Sequence, residues 1–214
     1  LEQQKSATSI YMMMIFTTIG QWDKTLFEKI NTGWAIPMLD WFMLMLREPL
    51  TWIPLYAAIL LWVWWKMPRQ LWLFVILTLI TFAITDYGNS SILKPLFARG
   101  RPCHDPDLQA SMRTLVPCGG FNSMPSSHAA NHFGLAMFWF SAVRMIKGRN
   151  WYWVWIWAFA IGYAQVYVGK HYPTDILAGA MFGVLAGWAT AALLRYSLKE
   201  NSFPQRLVRK RRQA

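Results

Sequence analysis

Three short stretches of this sequence gather residue types that recognise and cleave phosphate. Lys94, Arg99 and Arg101 fall within eight residues, followed by Pro102. Pro125, Ser126, Ser127 and His128 stand just before an apolar run, and so does the stretch from Lys170 and His171 through Pro173 to Asp175. In the last two stretches the proline suits the first turn of a helix, where its missing N–H and fixed φ cost nothing. A helix N-terminus presents free N–H groups and positive dipole, which favours anions. Lys94, Arg99, Arg101 and Lys170 beside two such termini would hold a tetrahedral oxyanion. Arginine takes two oxygens at once and lysine adds a point charge, while Ser126 and Ser127 offer hydroxyls and backbone donors.

Two histidines in such a pocket provide a nucleophile and an acid. Asp175 lies four residues beyond His171, near enough to accept its second ring N–H, fix the tautomer and stabilise imidazolium. His128 has no carboxylate near it in sequence. This pairing casts His171 as the nucleophile, forming a phosphohistidine, and His128 as the acid that protonates the leaving oxygen and later activates water. His128 and His132 stand at i and i+4, a spacing that holds zinc on one helix face. The surrounding cations repel a metal and no third ligand is evident, so neither metal nor cofactor is assigned. Taken singly, each cluster reads more simply as an interfacial basic stretch or a helix-end histidine, and only their combination points to catalysis.

The elements that must position these residues are membrane helices. Of 214 residues, 55% are apolar and only 14% charged, against about 25% in a soluble domain. Fourteen Trp and two Cys exclude disorder and a disulfide-dense mini-domain. Residues 49–65, 70–85, 114–143, 150–169 and 176–194 carry no Asp, Glu, Lys or Arg, the apolar part of the third beginning near Ala129. Each is near the roughly 20 residues needed to cross about 30 Å of hydrocarbon. The N-terminal part is less regular: Ile10–Ile19 and Trp34–Leu46 are short apolar runs flanking an amphipathic stretch, read as one crossing and one interfacial helix. The expected fold is therefore an all-α polytopic membrane bundle of five or six spans plus an N-terminal interfacial helix. It forms a single domain over 1–214, with its core at 49–194 and a basic tail at 195–214.

Charge sets the orientation. The net charge of +11 is concentrated in the turns at 66–70 and 144–150 and in the tail, where seven Lys or Arg face Glu200. Counted from residue 49, all three lie on one side, which the positive-inside rule makes cytoplasmic. The loops 86–127 and 170–175 then share the outer side, periplasmic in a bacterial inner membrane. Positive charge is disfavoured there without a partner, and a phosphate substrate supplies one; nucleic acid is not a partner this pattern calls for. Cys103 and Cys118 share that loop, where oxidising conditions favour pairing across about 15 residues. Gly179, Gly183 and Gly187, with neighbouring alanines, favour close packing of the last span behind the site.

Over residues 85–190 the sequence resembles the type-2 phosphatidic acid phosphatases, membrane lipid phosphatases with the motifs K-x6-R-P, P-S-G-H and S-R-x5-H-x3-D. Lys94 and Arg101-Pro102 match the first, Pro125, Ser126 and His128 the second, His171 and Asp175 the third. The resemblance implies the same roles for His171, Asp175 and His128, with phosphate held by the remaining motif residues. Ser127 replaces the family glycine, and the Ser-Arg pair falls on Ala164 and Gln165, leaving Gln165 to donate a neutral hydrogen bond and Lys170 or Arg99 to supply the charge. The expected activity is metal-independent hydrolysis of a lipid phosphate monoester or pyrophosphate at the periplasmic face. Phosphatidic acid, phosphatidylglycerophosphate, polyprenyl pyrophosphate and lipid A phosphate are candidates. A lipid phosphotransferase with the same intermediate, or a non-catalytic lipid-phosphate binder or transporter, are the alternatives.

Overall fold

The structure, a computed structural model, describes residues 17–211, with side chains through Lys199. Every regular element among the described residues is helical. Helix α1 covers residues 17–28 and runs into a π-helical turn at Lys29–Gly33. Helix α2 (Pro37–Arg47) opens on a proline after extended Ile36. A 3-10 turn, Pro49–Trp52, leads into α3 (Ile53–Lys66). Helix α4 (Leu71–Tyr87) continues through a π-helical turn, Gly88–Leu93, into the short α5 (Lys94–Phe97), which stops at left-handed Ala98. Helix α6 (Ser127–Lys147) is capped by the Ser126 hydroxyl and closed by Gly148 at φ 66°. Helix α7 (Trp153–Tyr167) and helix α8 (Pro173–Arg211) complete the chain.

The five charge-free runs coincide with α3, α4, α6, α7 and α8. By length and hydropathy together, two helices can cross a membrane, Pro68–Phe97 and Pro173–Lys199, and the pair Pro37–Arg47 and Pro49–Lys66 would make a third span bent by 72°. Helix α6 fails that test for a physical reason. It lies at the centre of the bundle between α4, α7 and α8, so its polar residues Asn131 and His132 face protein rather than lipid. Helix α7, at 15 residues, is simply short. The outer surface reads differently. Leu60, Leu61 and Trp64 on α3, Leu79 and Phe82 on α4, and Met181, Leu185 and Trp188 on α8 are exposed, an apolar surface suited to lipid and unsuited to water. Polar links tie the helices together inside: Thr81 to Thr190 at 2.7 Å, Asn131 to Asp86 at 3.0 Å, and Trp139 Nε1 to Thr78 at 3.1 Å.

The N-terminal region packs onto the rest of the bundle. Phe27, Ile30 and Leu46 bury against Leu108, Val116, Tyr167 and Tyr172, forming a second core beneath the long loop. Asn31 fastens that core, its amide donating to the carbonyls of Arg113 and Tyr167 while accepting from the Arg113 N–H. The apolar run Ile10–Ile19 lies largely outside the described residues, and α8 runs unbroken past Leu194 to Arg211.

The closest helix approach is between α6 and α8. A Cβ at Gly179, Gly183 or Gly187 would lie 2.4, 2.2 or 2.3 Å from the carbonyl oxygens of Ser126, Ala130 and Gly134 respectively. One side of α8 is thus pressed onto the backbone of α6. Gly183→Ala is therefore expected to cost about 1–3 kcal/mol by overpacking. Thermal unfolding in detergent should register this as a fall of roughly 3–10 °C. Gly20→Ala, with no atom near the added methyl, is the control and should leave the melting temperature unchanged.

Candidate active site

The long loop folds back on itself so that its two ends meet over the start of α8. Gly100 bridges Asn122, and the Ser123 N–H donates to the Arg99 carbonyl at 2.7 Å. Cys103 and Cys118 are joined in a disulfide, which on the chain-entropy model is worth roughly 3 kcal/mol for a loop of this length. The Ser126 N–H donates to the Asp175 carbonyl at 3.0 Å, which brings the second and third clusters into register.

His171 lies at the centre, buried. Its Nε2 is 3.3 Å from the Arg101 guanidinium, which can only donate, so this nitrogen carries the lone pair. Its Nδ1 is 3.2 Å from the Ser123 hydroxyl and 3.5 Å from Asp175 Oδ2. Ser123 in turn donates to Asp175 Oδ2 at 2.5 Å, leaving its oxygen free to accept the Nδ1 proton. The carboxylate also accepts from the Tyr172 N–H at 2.9 Å. The imidazole is thus held with Nδ1–H inward and Nε2 toward the cations. Burial, with the charges of Arg101 and Lys94, lowers the His171 pKa to about 4 against the opposing pull of Asp175. At neutral pH the ring is uncharged.

The basic residues divide by how fully they are engaged. Arg101 donates from Nε to the Gly120 carbonyl at 2.6 Å and from Nη1 to the Lys170 carbonyl at 3.0 Å. Arg99 is spoken for: it donates to Asp175 Oδ1 at 2.9 Å, Thr174 Oγ1 at 2.6 Å and Asp23 Oδ2 at 2.6 Å, and stacks over the Tyr172 ring. Burial alone would lower its pKa, but Asp175 and Asp23 outweigh it and raise the value. Lys170 turns its ammonium onto the carbonyls of Pro117 and Cys118, at 2.6 and 2.8 Å, and packs where a Cβ on left-handed Gly119 would collide with it. The Lys94 ammonium makes neither a hydrogen bond nor an ion pair with any described residue.

Of the second cluster, Ser126 is buried as the cap of α6, and the Ser127 hydroxyl accepts from Asn89 Nδ2 at 2.9 Å, whose amide also reaches the Pro125 carbonyl. His128 stands in the first turn of α6, close enough to His171 for their charges to interact, its ring nearly parallel to that of His132 with centroids 6.2 Å apart. His132 Nδ1 is occupied by the His128 carbonyl at 2.7 Å. Gln165 is fully buried, and neither its amide nitrogen nor its amide oxygen has a partner among the described residues. Its backbone carbonyl accepts from the N–H groups of Lys170 and His171.

Two members of this arrangement carried no sequence signal: Ser123, an unremarked loop serine, and Asp23, 152 residues from Asp175. Asp23 also accepts from the Thr174 N–H at 2.9 Å, so α1 is fastened to the first turn of α8.

Comparison with known proteins places this geometry. A profile of the PAP2 superfamily matches residues 69–199, which hold all three clusters. The chain belongs to the PAP2 superfamily. It is 32% identical over 167 residues to a lipid A 4'-phosphatase of Porphyromonas gingivalis, covering 77% of this chain and 70% of that protein. A lipid A 4'-phosphatase of Bacteroides thetaiotaomicron is 35% identical over 160 residues, covering 71% and 68%. In fold it is similar to the PAP2-type phosphatidylglycerolphosphate phosphatase of Bacillus subtilis (TM-score 0.66, 17% identity, 88% of this chain and 96% of that one) and to Aquifex aeolicus LpxE (0.56, 23%, 78% and 92%). This PAP2 protein is thus a helical membrane phosphatase, an enzyme that hydrolyses phosphate monoesters.

Arg99 is the ion on which Asp23 and Asp175 both depend, and each carboxylate is almost wholly buried. Arg99→Met is expected to destabilise the protein by about 3 kcal/mol, because breaking a buried pair leaves uncompensated charge. Thermal melts should show Asp23→Asn with Arg99→Met costing less than the sum of the two single changes; strict additivity would mean that the ions do not act together.

Proposed function

We propose that the chain hydrolyses a phosphate monoester of lipid A, at the 4' position, through a phosphohistidine on His171 at the periplasmic face of the membrane. The observation that carries this reading is the orientation of His171, a neutral imidazole whose Nε2 lone pair faces Arg101 while Nδ1–H is held by Ser123 and Asp175. The two lipid A 4'-phosphatase relatives, alike over more than two thirds of their length, support the choice of lipid and position. The placement of the loops opposite the basic turns supports the periplasmic side.

In this mechanism Nε2 of His171 attacks phosphorus, the P–N bond forms, and the P–O bond to the lipid breaks. His128 gives its proton to the departing oxygen. Water then attacks the phosphohistidine as His128 takes a proton from it, the P–N bond breaks, and phosphate leaves with His171 neutral again. Asp175 stabilises the imidazolium character that develops on His171. Arg101 and Lys94 offset charge on the equatorial oxygens. Ser127 contributes a backbone donor at the N-terminus of α6, where the Ser126 N–H is taken by the Asp175 carbonyl, while Arg99 and Lys170 hold the walls of the pocket rather than the phosphate.

Phosphate release should be measured from lipid A carrying the 4'-phosphate, the 1-phosphate or both, alongside phosphatidic acid and phosphatidylglycerophosphate. Preferential release from the 4' position is expected, and His171→Ala should reduce it by roughly 10³-fold or more with no labelled phosphoenzyme trapped after quenching. No release from any lipid would sink the enzyme reading, and preference for phosphatidic acid would replace the substrate.

The same chemistry fixes a pH profile. The nucleophile must be neutral, so its contribution is retained above its pKa and lost as pH falls through it. With that pKa lowered to about 4, kcat/KM corrected for the substrate's own ionisation near pH 6 should show no fall from pH 7 to pH 5, where protonation of the acid His128 can only raise it, and should fall only below that. A corrected acid limb centred near 6.5 would show that His171 is not held as described.

A further inference from the structure

A further cation reaches Arg101 and Lys170 from outside the segment that matches the family. Arg47 is the last residue of α2. Its charge acts on both Arg101 and Lys170, and its backbone carbonyl faces the ring of His128. The end of α2 is pinned in that position. Trp52 Nε1 donates to the Leu46 carbonyl at 2.8 Å, the Trp52 ring packs edge-on against Trp157 at 5.7 Å, and Trp157 in turn lies 4.8 Å from the His132 ring.

The guanidinium of Arg47 has no use within the described protein. Its Nε is buried with no hydrogen-bond partner, and it forms no ion pair with any described acid, exposed Glu48 included. A buried donor without an acceptor, set near like charges, is unfavourable by itself and becomes favourable beside a phosphate dianion, which supplies the acceptor and offsets the repulsion. Arg99 and Lys170 differ on this point, because carboxylates and carbonyls already take their donors. Gln165 carries no charge at all.

We propose that Arg47 binds a phosphoryl oxygen of the substrate on the side of His128, serving as the phosphate-binding cation that the third cluster lacks at Gln165. The proposal rests on the phosphatase reading for its substrate, but phosphate binding tests it without turnover. An N-terminal helix outside the family-matched segment would then complete the site, and arginine suits the task because its planar fork spans two oxygens.

The test uses the full chain in detergent, as wild type, Arg47→Gln and Arg47→Lys, titrated with inorganic phosphate by calorimetry and assayed for release from lipid A phosphates. Arg47→Gln should weaken phosphate binding and lower kcat/KM each by tenfold or more at an unchanged melting temperature, with Arg47→Lys recovering part of both. Arg47→Gln within twofold of wild type in both measurements overturns the proposal and leaves the phosphatase reading intact. Phosphate binding that weakens in Arg47→Gln, in a wild type that releases nothing from any lipid, upholds Arg47 and overturns the phosphatase reading. A wild type that neither binds phosphate nor turns over any lipid overturns both. If Arg47→Gln does not fold, Arg47→Lys decides: affinity reduced threefold or more supports the assignment, and unchanged affinity overturns it.

Discussion

The approach of α8 onto the backbone of α6 is the constraint from which the site follows. With glycine at 179, 183 and 187, the helix axes come closer than any side chain would permit. Carbonyl oxygens of one helix then rest directly on Cα atoms of the other. In a bilayer this matters more than in water, because lipid tails solvate leucine as well as a protein core does and close van der Waals contact must hold helices together. The first turns of the two helices consequently lie side by side, linked by the Ser126 N–H and the Asp175 carbonyl. His128 rises from one of those turns, and His171 immediately precedes the other. Two histidines 43 positions apart in sequence are brought to one pocket because three glycines lack side chains.

Electrostatics then divides the basic residues by role. Asp23 and Asp175 are the buried acids of the site, and both are bound to Arg99. That leaves Asp175 oriented toward His171 and leaves the other cations without carboxylate partners. A pocket built this way is positively charged around His171 and balanced where Arg99 meets the two acids. The +11 of the sequence therefore has two origins. Most of it follows topology in the turns and tail, while a smaller share is concentrated where an anionic substrate supplies the counter-charge.

The three clusters and the helices behind them were legible in the sequence because spacing and charge-free runs are local properties. His171 and Asp175 are four residues apart, and each membrane helix announces itself within a window of about 20 residues. The division of labour among the cations was not legible. Arg99 and Arg101 have the same side chain two residues apart, yet one is bound by carboxylates and the other faces His171. Ser123 gave no warning because a single serine in a loop is common, and its role comes from folding that loop back onto α8. Asp23 and the docking of α1 were missed because an amphipathic stretch looks the same whether its apolar side meets lipid or protein. Helix α6 was found from its charge-free run despite its polar residues, since a central helix surrounded by protein tolerates side chains that a lipid-facing one does not.

The contact between Asp23 and Thr174 has a wider meaning for how such enzymes diversify. The family-matched segment begins at residue 69, yet a carboxylate from α1 grips the residue next to Asp175 and shares its counter-ion. The pocket around His171 is thus not a self-contained cassette to which an N-terminal region has been added. Changes in α1 can reach Asp175, the carboxylate beside His171, through one arginine and one threonine. Variation in the least family-like part of the chain becomes a means of retuning the most family-like part, without altering any of the three motifs.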